Sequence, residues 1–134
     1  MILACSLPLK TRNPNNGSQG FSRTATFAKA RRRKHERKTA HETLLLAHGA
    51  GVADAVFELT ANRKLVVELT RVAPSNGLDP HDALGPSLKG VIDGIGDALG
   101  LTNDRDARVQ WKLEQRRGKP KEYAVEVEIR KVER

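Results

Sequence analysis

"SLKGVIDGIGDALG", residues 87–100, is the stretch of sequence that decides the fold. Apolar residues recur in it at positions 88, 91, 92, 95 and 99, which is the spacing of one helix face. Pro86 stands just before the stretch and Gly100 closes it, which are common places for these residues at the start and the end of a helix. The spacing therefore predicts an amphipathic helix over 87–99.

Glycine is unusually frequent inside this helix. Gly90, Gly94 and Gly96 each cost helix propensity of ~1 kcal/mol relative to alanine. Their absence of side chains lets another segment of the protein approach the helix axis. We therefore expect a second backbone to pack closely against this helix.

Other elements can be placed outward from this helix. Residues 24–47 lack Gly and Pro and are rich in helix-forming residues, so they predict a second helix, with the leucines near its end docked in the core. Residues 2–10 and 65–72 have strand composition. Residues 55–60 favour either a strand, which would form a hairpin around 61–64, or a short helix. The alternating runs 108–117 and 122–132 flank "GKPK" and predict a β-hairpin.

This order of elements indicates a small α/β (α+β) fold with a mixed, mostly antiparallel sheet packed against two main helices. The length of 134 residues fits one domain over 1–134, with a less ordered strand and loop over 1–23 and a possible insert over 51–63. The single cysteine, Cys5, excludes an intrachain disulfide and fits a cytoplasmic setting. No apolar run reaches the ~20 residues that span a bilayer, so we expect no membrane partner.

Positive charge is concentrated in the first 50 residues. They hold ten Lys or Arg and two acids, which equals the whole net charge of +8, while residues 51–134 are balanced. A polyanionic partner explains this distribution, and nucleic acid is the commonest one. A solvated basic helix is the alternative. The candidate phosphate contacts are Arg31, Arg32, Arg33, Lys34, Arg37 and Lys38.

Six aspartates lie within 28 residues around the glycine-bearing helix. Asp79 and Asp82 precede it, Asp104 and Asp106 follow it, and these loop carboxylates are the oxygen ligands that Mg²⁺ takes. The alternative for all four is turn and cap chemistry. Asp93 and Asp97 lie inside the helix, four residues apart, and we interpret them as an exposed face.

Residues 78–119, "LDPHDALGPSLKGVIDGIGDALGLTNDRDARVQWKLEQRRGK", resemble the RusA family of Holliday-junction resolvases, in particular its phage-borne branch. The family pattern is Asp-x-Asp-Asn, a lysine-bearing helix, and an acidic pair before a strand. Asp82 is similar to the second Asp of that motif, Lys89 to the active-site lysine, and Asp104 or Asp106 to the acidic pair. This chain departs from the motif, since it has Pro80 two residues before Asp82 and Ala83 after it. His81 is either a substitute ligand at this site or an ordinary loop residue.

The resemblance implies a structure-selective endonuclease that acts as a homodimer on branched DNA with Mg²⁺ or Mn²⁺, nicking opposed strands of a four-way junction in recombination and repair. Asp79, Asp82, Asp104 and Asp106 would be the metal ligands, with Lys89 beside them. Two alternatives remain at this stage. One is a non-catalytic DNA-binding accessory protein of a phage or bacterium, and the other is a structural or assembly protein whose basic helix contacts protein.

Overall fold

The structure, a computed structural model, describes residues 1–11, 23–74, 77 and 83–132, and of residues 23–26 the backbone only. It is a small α/β domain, as the sequence predicts. The described elements are β1 (Leu3–Leu7), α1 (Arg23–Ala47), α2 (Gly49–Thr60), β2 (Leu65–Ala73), α3 (Leu84–Ser87), α4 (Lys89–Leu99), β3 (Val109–Arg117) and β4 (Ala124–Lys131).

The four strands form one sheet in the order β1-β4-β2-β3. β4 pairs antiparallel with both β1 and β2, while β2 and β3 are parallel. The sheet is thus mixed and mostly antiparallel, as predicted. The parallel pair results from α4, because a helix between two strands returns the chain to the starting end of the sheet.

The hairpin predicted around "GKPK" is wrong. β3 and β4 do not pair with each other, because β2 lies between them. The Gly118 amide donates to the Ala73 carbonyl at 2.9 Å, and the connector then passes the end of β2. A Cβ at Gly118 would lie 2.9 Å from Val72 Cγ1, so the crossing leaves no room for a side chain.

Burial explains why β2 takes the central place. Leu65, Val67 and Leu69 are fully buried, as are Val125 and Ile129 of β4. An apolar strand loses most contact with water when strands flank it on both sides. In β3, exposed side chains alternate with more buried ones over most of the strand, and the strand lies at the edge of the sheet.

The chain over 51–63 is largely helical. The ambiguous run 55–60 belongs to α2, so the hairpin considered around 61–64 is wrong as well. Val52, Ala55 and Leu59 are buried on one side of α2 at helical spacing, which is the reason that the helix outcompetes a strand here. The sheet is therefore accompanied by three helices of more than one turn among the described residues, rather than two.

The predicted helices over 24–47 and 87–99 are confirmed, and the second is broken at Leu88 into α3 and α4. All five residues of its apolar stripe are buried. Gly100 ends α4 with a φ of 74°, the left-handed conformation that glycine adopts without strain.

The close backbone contact predicted from the glycines is present at two of the three positions. A Cβ at Gly90 would lie 2.9 Å from the Arg33 carbonyl oxygen, and a Cβ at Gly94 would clash with the Arg37 carbonyl oxygen. Gly96 faces Leu101 with ordinary space, 3.9 Å. α1 and α4 therefore pack backbone to backbone, with residue 33 beside 90 and residue 37 beside 94.

Candidate active site

A lysine and two aspartates meet at the first turn of α4. Lys89 Nζ lies 3.0 Å from Asp104 Oδ2 and 3.1 Å from Asp93 Oδ1. The Lys89–Asp93 pair is an i, i+4 contact along the face of α4. Asp104 joins it from the loop after α4, so one ammonium group is shared by carboxylates from two different segments. We call Lys89, Asp93 and Asp104 the lysine cluster.

The loop after α4 folds back along the helix to bring Asp104 to its beginning. The Leu101 amide donates to the Gly96 carbonyl at 2.8 Å, which reverses the chain at Gly100. Trp111 Nε1 of β3 then donates to the Asp104 carbonyl at 3.0 Å. Trp111 thus helps to position Asp104 in the cluster. The sequence did not predict this role.

Charge and hydrogen bonding stabilise the ionised forms of the cluster. The hydrogen bond from Lys89 lowers the pKa of Asp104, and the bond to Asp104 raises the pKa of Lys89 above its usual range. The three side chains are each about one third exposed, with relative side-chain exposures of 39%, 29% and 34% for Lys89, Asp93 and Asp104. The cluster therefore faces solvent and is open to a ligand.

Asp106 has a different partner. Its carboxylate accepts from Arg108 Nε at 3.0 Å and from Arg108 Nη2 at 2.7 Å, and also from the Arg108 amide. These bonds lower the pKa of Asp106 to about 2. Arg108 in turn donates to the Leu59 carbonyl at the end of α2. The sequence did not decide which of Asp104 and Asp106 is the site residue. In the structure Asp104 contacts Lys89, whereas Asp106 binds Arg108, which connects the loop to α2.

Asp79, Pro80, His81 and Asp82 lie outside the described residues. The predictions for Asp79 and Asp82 as ligands, and for His81 as a substitute, therefore stay predictions. The chain re-enters the described part at Ala83, which is buried and directly precedes α3. Lys89 follows Asp82 by seven residues in the sequence.

The basic half of α1 is exposed at every position predicted to contact phosphate, residues 31–34, 37 and 38. Arg37 nevertheless has a carboxylate partner, because its Nε and Nη2 lie 2.6 and 2.8 Å from the two oxygens of Asp97. Lys38 lies 4.0 Å from Glu42 on the same helix. Arg31, Arg32, Arg33 and Lys34 form no ion pair among the described residues.

Helix packing connects α1 to the stripe of α4 that carries the lysine cluster. Lys89, Asp93 and Asp97 form one stripe of α4, and Arg37 reaches its far end. The Arg33 backbone lies one turn earlier in α1, beside Gly90, the residue that follows Lys89. Arg37 is therefore the cation of α1 that the structure connects to the carboxylate stripe of α4.

The donor set of the cluster suits a hard divalent cation. Asp93 and Asp104 each direct an oxygen at the same point, where the Lys89 ammonium now stands as a positive group. Mg²⁺ is commonly bound through one or two carboxylates plus phosphate oxygens. Among residues 1–11, 23–74, 77 and 83–132, no group of three potential ligand side chains converges. The described part of the chain thus offers two carboxylates and leaves the remaining positions to other ligands.

Two further polar groups are buried near these elements, and neither stood out in the sequence. Glu36 lies in the α1–α4 contact at Gly90, and its Oε2 has no hydrogen-bond partner in the described residues. Burial raises the pKa of Glu36 to about 7. Arg71 of β2 donates from Nε to Thr11 Oγ1 and from Nη2 to the Thr11 carbonyl, and it ties the chain after β1 to the sheet.

Comparisons with known proteins give no relative: no family model, no curated protein and no solved structure matches the chain. In the part of the chain that the structure describes, none of the helices combines the length and the apolar character required to cross a membrane.

Proposed function

We propose that this protein is a metal-dependent endonuclease that acts on branched DNA and resolves four-way junctions by paired nicks. The observation that carries the proposal is the lysine cluster, in which two carboxylates from separate segments share one point beside a helix rich in unpaired cations. The resemblance to the RusA family supports the same function.

The basic helix supplies the affinity for DNA in this proposal. Branched DNA is bound mainly through phosphates and shape, and exposed arginines and lysines provide those contacts. Arg31, Arg32, Arg33 and Lys34 form no salt bridge among the described residues, so contacts of these four side chains with phosphate break no ion pair within that part of the protein. Arg37 contributes less, because its guanidinium is already bonded to Asp97.

The lysine cluster supplies the chemistry. Asp93 and Asp104 would hold Mg²⁺ or Mn²⁺, with Asp79 and Asp82 as the further ligands predicted from the sequence. When bound, such a cation activates a water molecule and stabilises the leaving oxygen of a phosphodiester. Lys89, displaced from between the carboxylates, would neutralise the charge of the phosphate that is cut. Paired nicks require two active sites, so the proposal includes a homodimer.

The test is a cleavage assay on a synthetic four-way junction and on a linear duplex of the same sequence, with Mg²⁺, with Mn²⁺ and with a chelator. We expect paired nicks in the junction alone, dependent on the cation. Asp104→Asn should abolish them, and Asp54→Asn, an exposed carboxylate on α2 far along the chain, serves as the matched control. Intact junction in both cations, or full activity of Asp104→Asn, would overturn the proposal.

A second function is favoured by one observation, that no three ligand side chains converge among the described residues. A DNA-binding accessory protein without catalysis needs the basic helix and no metal. It predicts tight junction binding that the chelator leaves unchanged, together with no cleavage, so the same assay distinguishes the two functions.

A further inference from the structure

A surface cavity lies at the end of the sheet where β2 begins and β4 ends. Its volume is about 440 Å³, which is within the range of pockets that hold small ligands. Leu65 and Lys131 are register partners at this end of the sheet. The Val132 amide donates to the Lys64 carbonyl at 3.3 Å, so the end of β4 lies beside the turn that leads from α2 into β2. The described lining residues are Glu58, Asn62, Arg63, Lys64, Lys131 and Val132.

The charge of this cavity is positive among the described residues that line it. Arg63 and Lys64 come from the turn after α2, and Lys131 comes from β4, against the single carboxylate of Glu58. Three positive charges and one negative charge give a net charge of +2. A concave surface with an excess of one charge concentrates the electric field and attracts ions of the opposite sign. The tertiary fold therefore brings cations from two separate segments to one anion-attracting cavity.

Glu58 holds two of these cations in place. Its side chain is only 7% exposed, and its carboxylate lies 3.1 Å from Arg63 Nη1 and 3.1 Å from Lys131 Nζ. A buried charge requires such partners, and the hydrogen bond from Lys131, followed by the one from Arg63, lowers the pKa of Glu58. Arg63 and Lys131 themselves remain 61% and 62% exposed. A guanidinium has five N–H donors and an ammonium three, so both cations keep donors for a ligand.

Two further donor groups lie in the same cavity. Lys64 forms no ion pair, and the Asn62 side-chain amide forms no hydrogen bond, among the described residues. Asn62 adopts a φ of 58°, a left-handed conformation that asparagine accepts more readily than most residues and that turns the chain from α2 toward β2. A guanidinium, two ammonium groups and an amide together suit a ligand that is negatively charged and has several acceptor oxygens. Phosphate is such a ligand.

We propose that this cavity is a binding site for a phosphate group, carried either by a nucleic acid backbone or by a small phosphate ester. Arg63, Lys64 and Lys131 contact the phosphate oxygens, and Glu58 is the positioning residue for two of them. The inference goes beyond the proposed function, because none of the described lining residues belongs to α1 or to the lysine cluster. It holds whether or not the protein cuts DNA.

Titration with inorganic phosphate, followed by amide NMR spectra of the full chain, tests the site. The amides of residues 62–64 and 131–132 should shift together. Lys64→Gln and Lys131→Gln should each raise the dissociation constant about threefold or more, as loss of one exposed charge contact does. Lys64→Arg retains the charge and should stay within about twofold. Lys119→Gln, in the exposed turn after β3, removes the same charge elsewhere and should leave the constant unchanged.

Two further titrations distinguish the sources of the phosphate. If the site takes the DNA backbone, Lys64→Gln should reduce the slope of log affinity against log salt for a linear duplex by ~0.9, and Lys119→Gln should not. If it takes a small ester, deoxythymidine monophosphate should shift the same amides at lower concentration than inorganic phosphate does, and Lys64→Gln should leave the DNA slope unchanged.

The inference would be overturned if none of the three probes shifted the amides of residues 62–64 and 131–132. It would also be overturned if Lys64→Gln and Lys131→Gln both bound inorganic phosphate as tightly as the wild type. Circular dichroism establishes that each variant is folded. The junction assay is read separately, so phosphate binding at this cavity without cleavage contradicts only the proposed function.

Discussion

The two ends of α4 carry the same residue type in different settings. Asp93 and Asp97 lie one turn apart on one stripe, and the sequence places both on an exposed helix face. Asp97 accepts two hydrogen bonds from Arg37, and this pair links α1 to α4. Asp93 shares a single ammonium with Asp104 and keeps its other oxygen for a further partner. The difference shows that the neighbouring segment, not the helix itself, determines whether such a carboxylate is structural or available to a ligand.

The largest expected effect is a difference between these two aspartates in the rate of junction nicking. Asp93→Asn removes a candidate ligand and should lower the rate of junction nicking on the order of a hundredfold or more. Asp97→Asn should leave the rate within about threefold, because its partner is Arg37. Single-turnover nicking at saturating Mg²⁺ measures both. Equal losses in the two variants would mean that the ends of α4 do not differ in function.

The helix contact between those ends should be sensitive to one methyl group. Gly94→Ala forces a Cβ into the Arg37 carbonyl and should lower the free energy of unfolding by ~2–3 kcal/mol, as overpacked contacts do. Gly96→Ala has 3.9 Å of space to Leu101 and should be neutral or stabilising by up to ~1 kcal/mol. Urea unfolding of both variants gives the difference, and a tolerated Gly94→Ala would contradict the backbone contact.

Glu36, beside Gly90, should make stability depend on pH. Its pKa is about 7 in the folded protein, above the ordinary glutamate value of 4.5, so the folded state retains a proton that the unfolded chain has lost. Stability therefore falls as pH rises from about 4.5 to about 7, by a few kcal/mol at most, and is constant above that range.

Glu36→Gln should remove this dependence. Urea unfolding at about pH 4 and about pH 8 compares the two proteins, because these values lie on either side of the transition. If the difference in unfolding free energy between the wild type and the variant were the same at both pH values, this would contradict a buried carboxyl at Glu36.

The smallest effect concerns DNA binding. Arg31→Gln removes a cation without a carboxylate partner and should reduce the slope of log affinity against log salt by ~0.9. Arg37→Gln should change that slope less and should instead lower stability by up to ~1 kcal/mol, since it breaks the Asp97 pair. Fluorescence anisotropy with a labelled junction at several salt concentrations measures both slopes. Equal slope changes in the two variants would mean that Arg37 contacts phosphate as Arg31 does.

Periodicity predicted the elements that bury one clear face. The stripe of α4 followed from apolar spacing, and the glycines predicted the close approach of a second backbone without identifying it as α1. Strand order did not follow, because alternation in β3 and β4 identifies strands without identifying their partners, and the short "GKPK" connector favoured the wrong pairing. The greater apolar character of β2 was the available signal for its central place.

The candidate site was predicted in its residue types and less well in its grouping. Lys89 and Asp104 were named, but nothing local to residues 100–108 distinguishes Asp104 from Asp106. That difference arises where the loop turns back at Gly100 and where Arg108 meets α2, and both contacts are tertiary. Asp93 was visible at its spacing from Lys89, and only the returning loop makes it part of a cluster.

The sheet joins the two ends of the chain, since Leu3 of β1 is registered with Ile129 of β4. During synthesis the first strand therefore has no partner until residues 125–129 have been made. β2, parallel to β3 and antiparallel to β4, also waits for segments made at least 36 residues later. The nascent chain therefore exposes apolar strands until these distant partners have been made, and we expect the sheet to fold slowly.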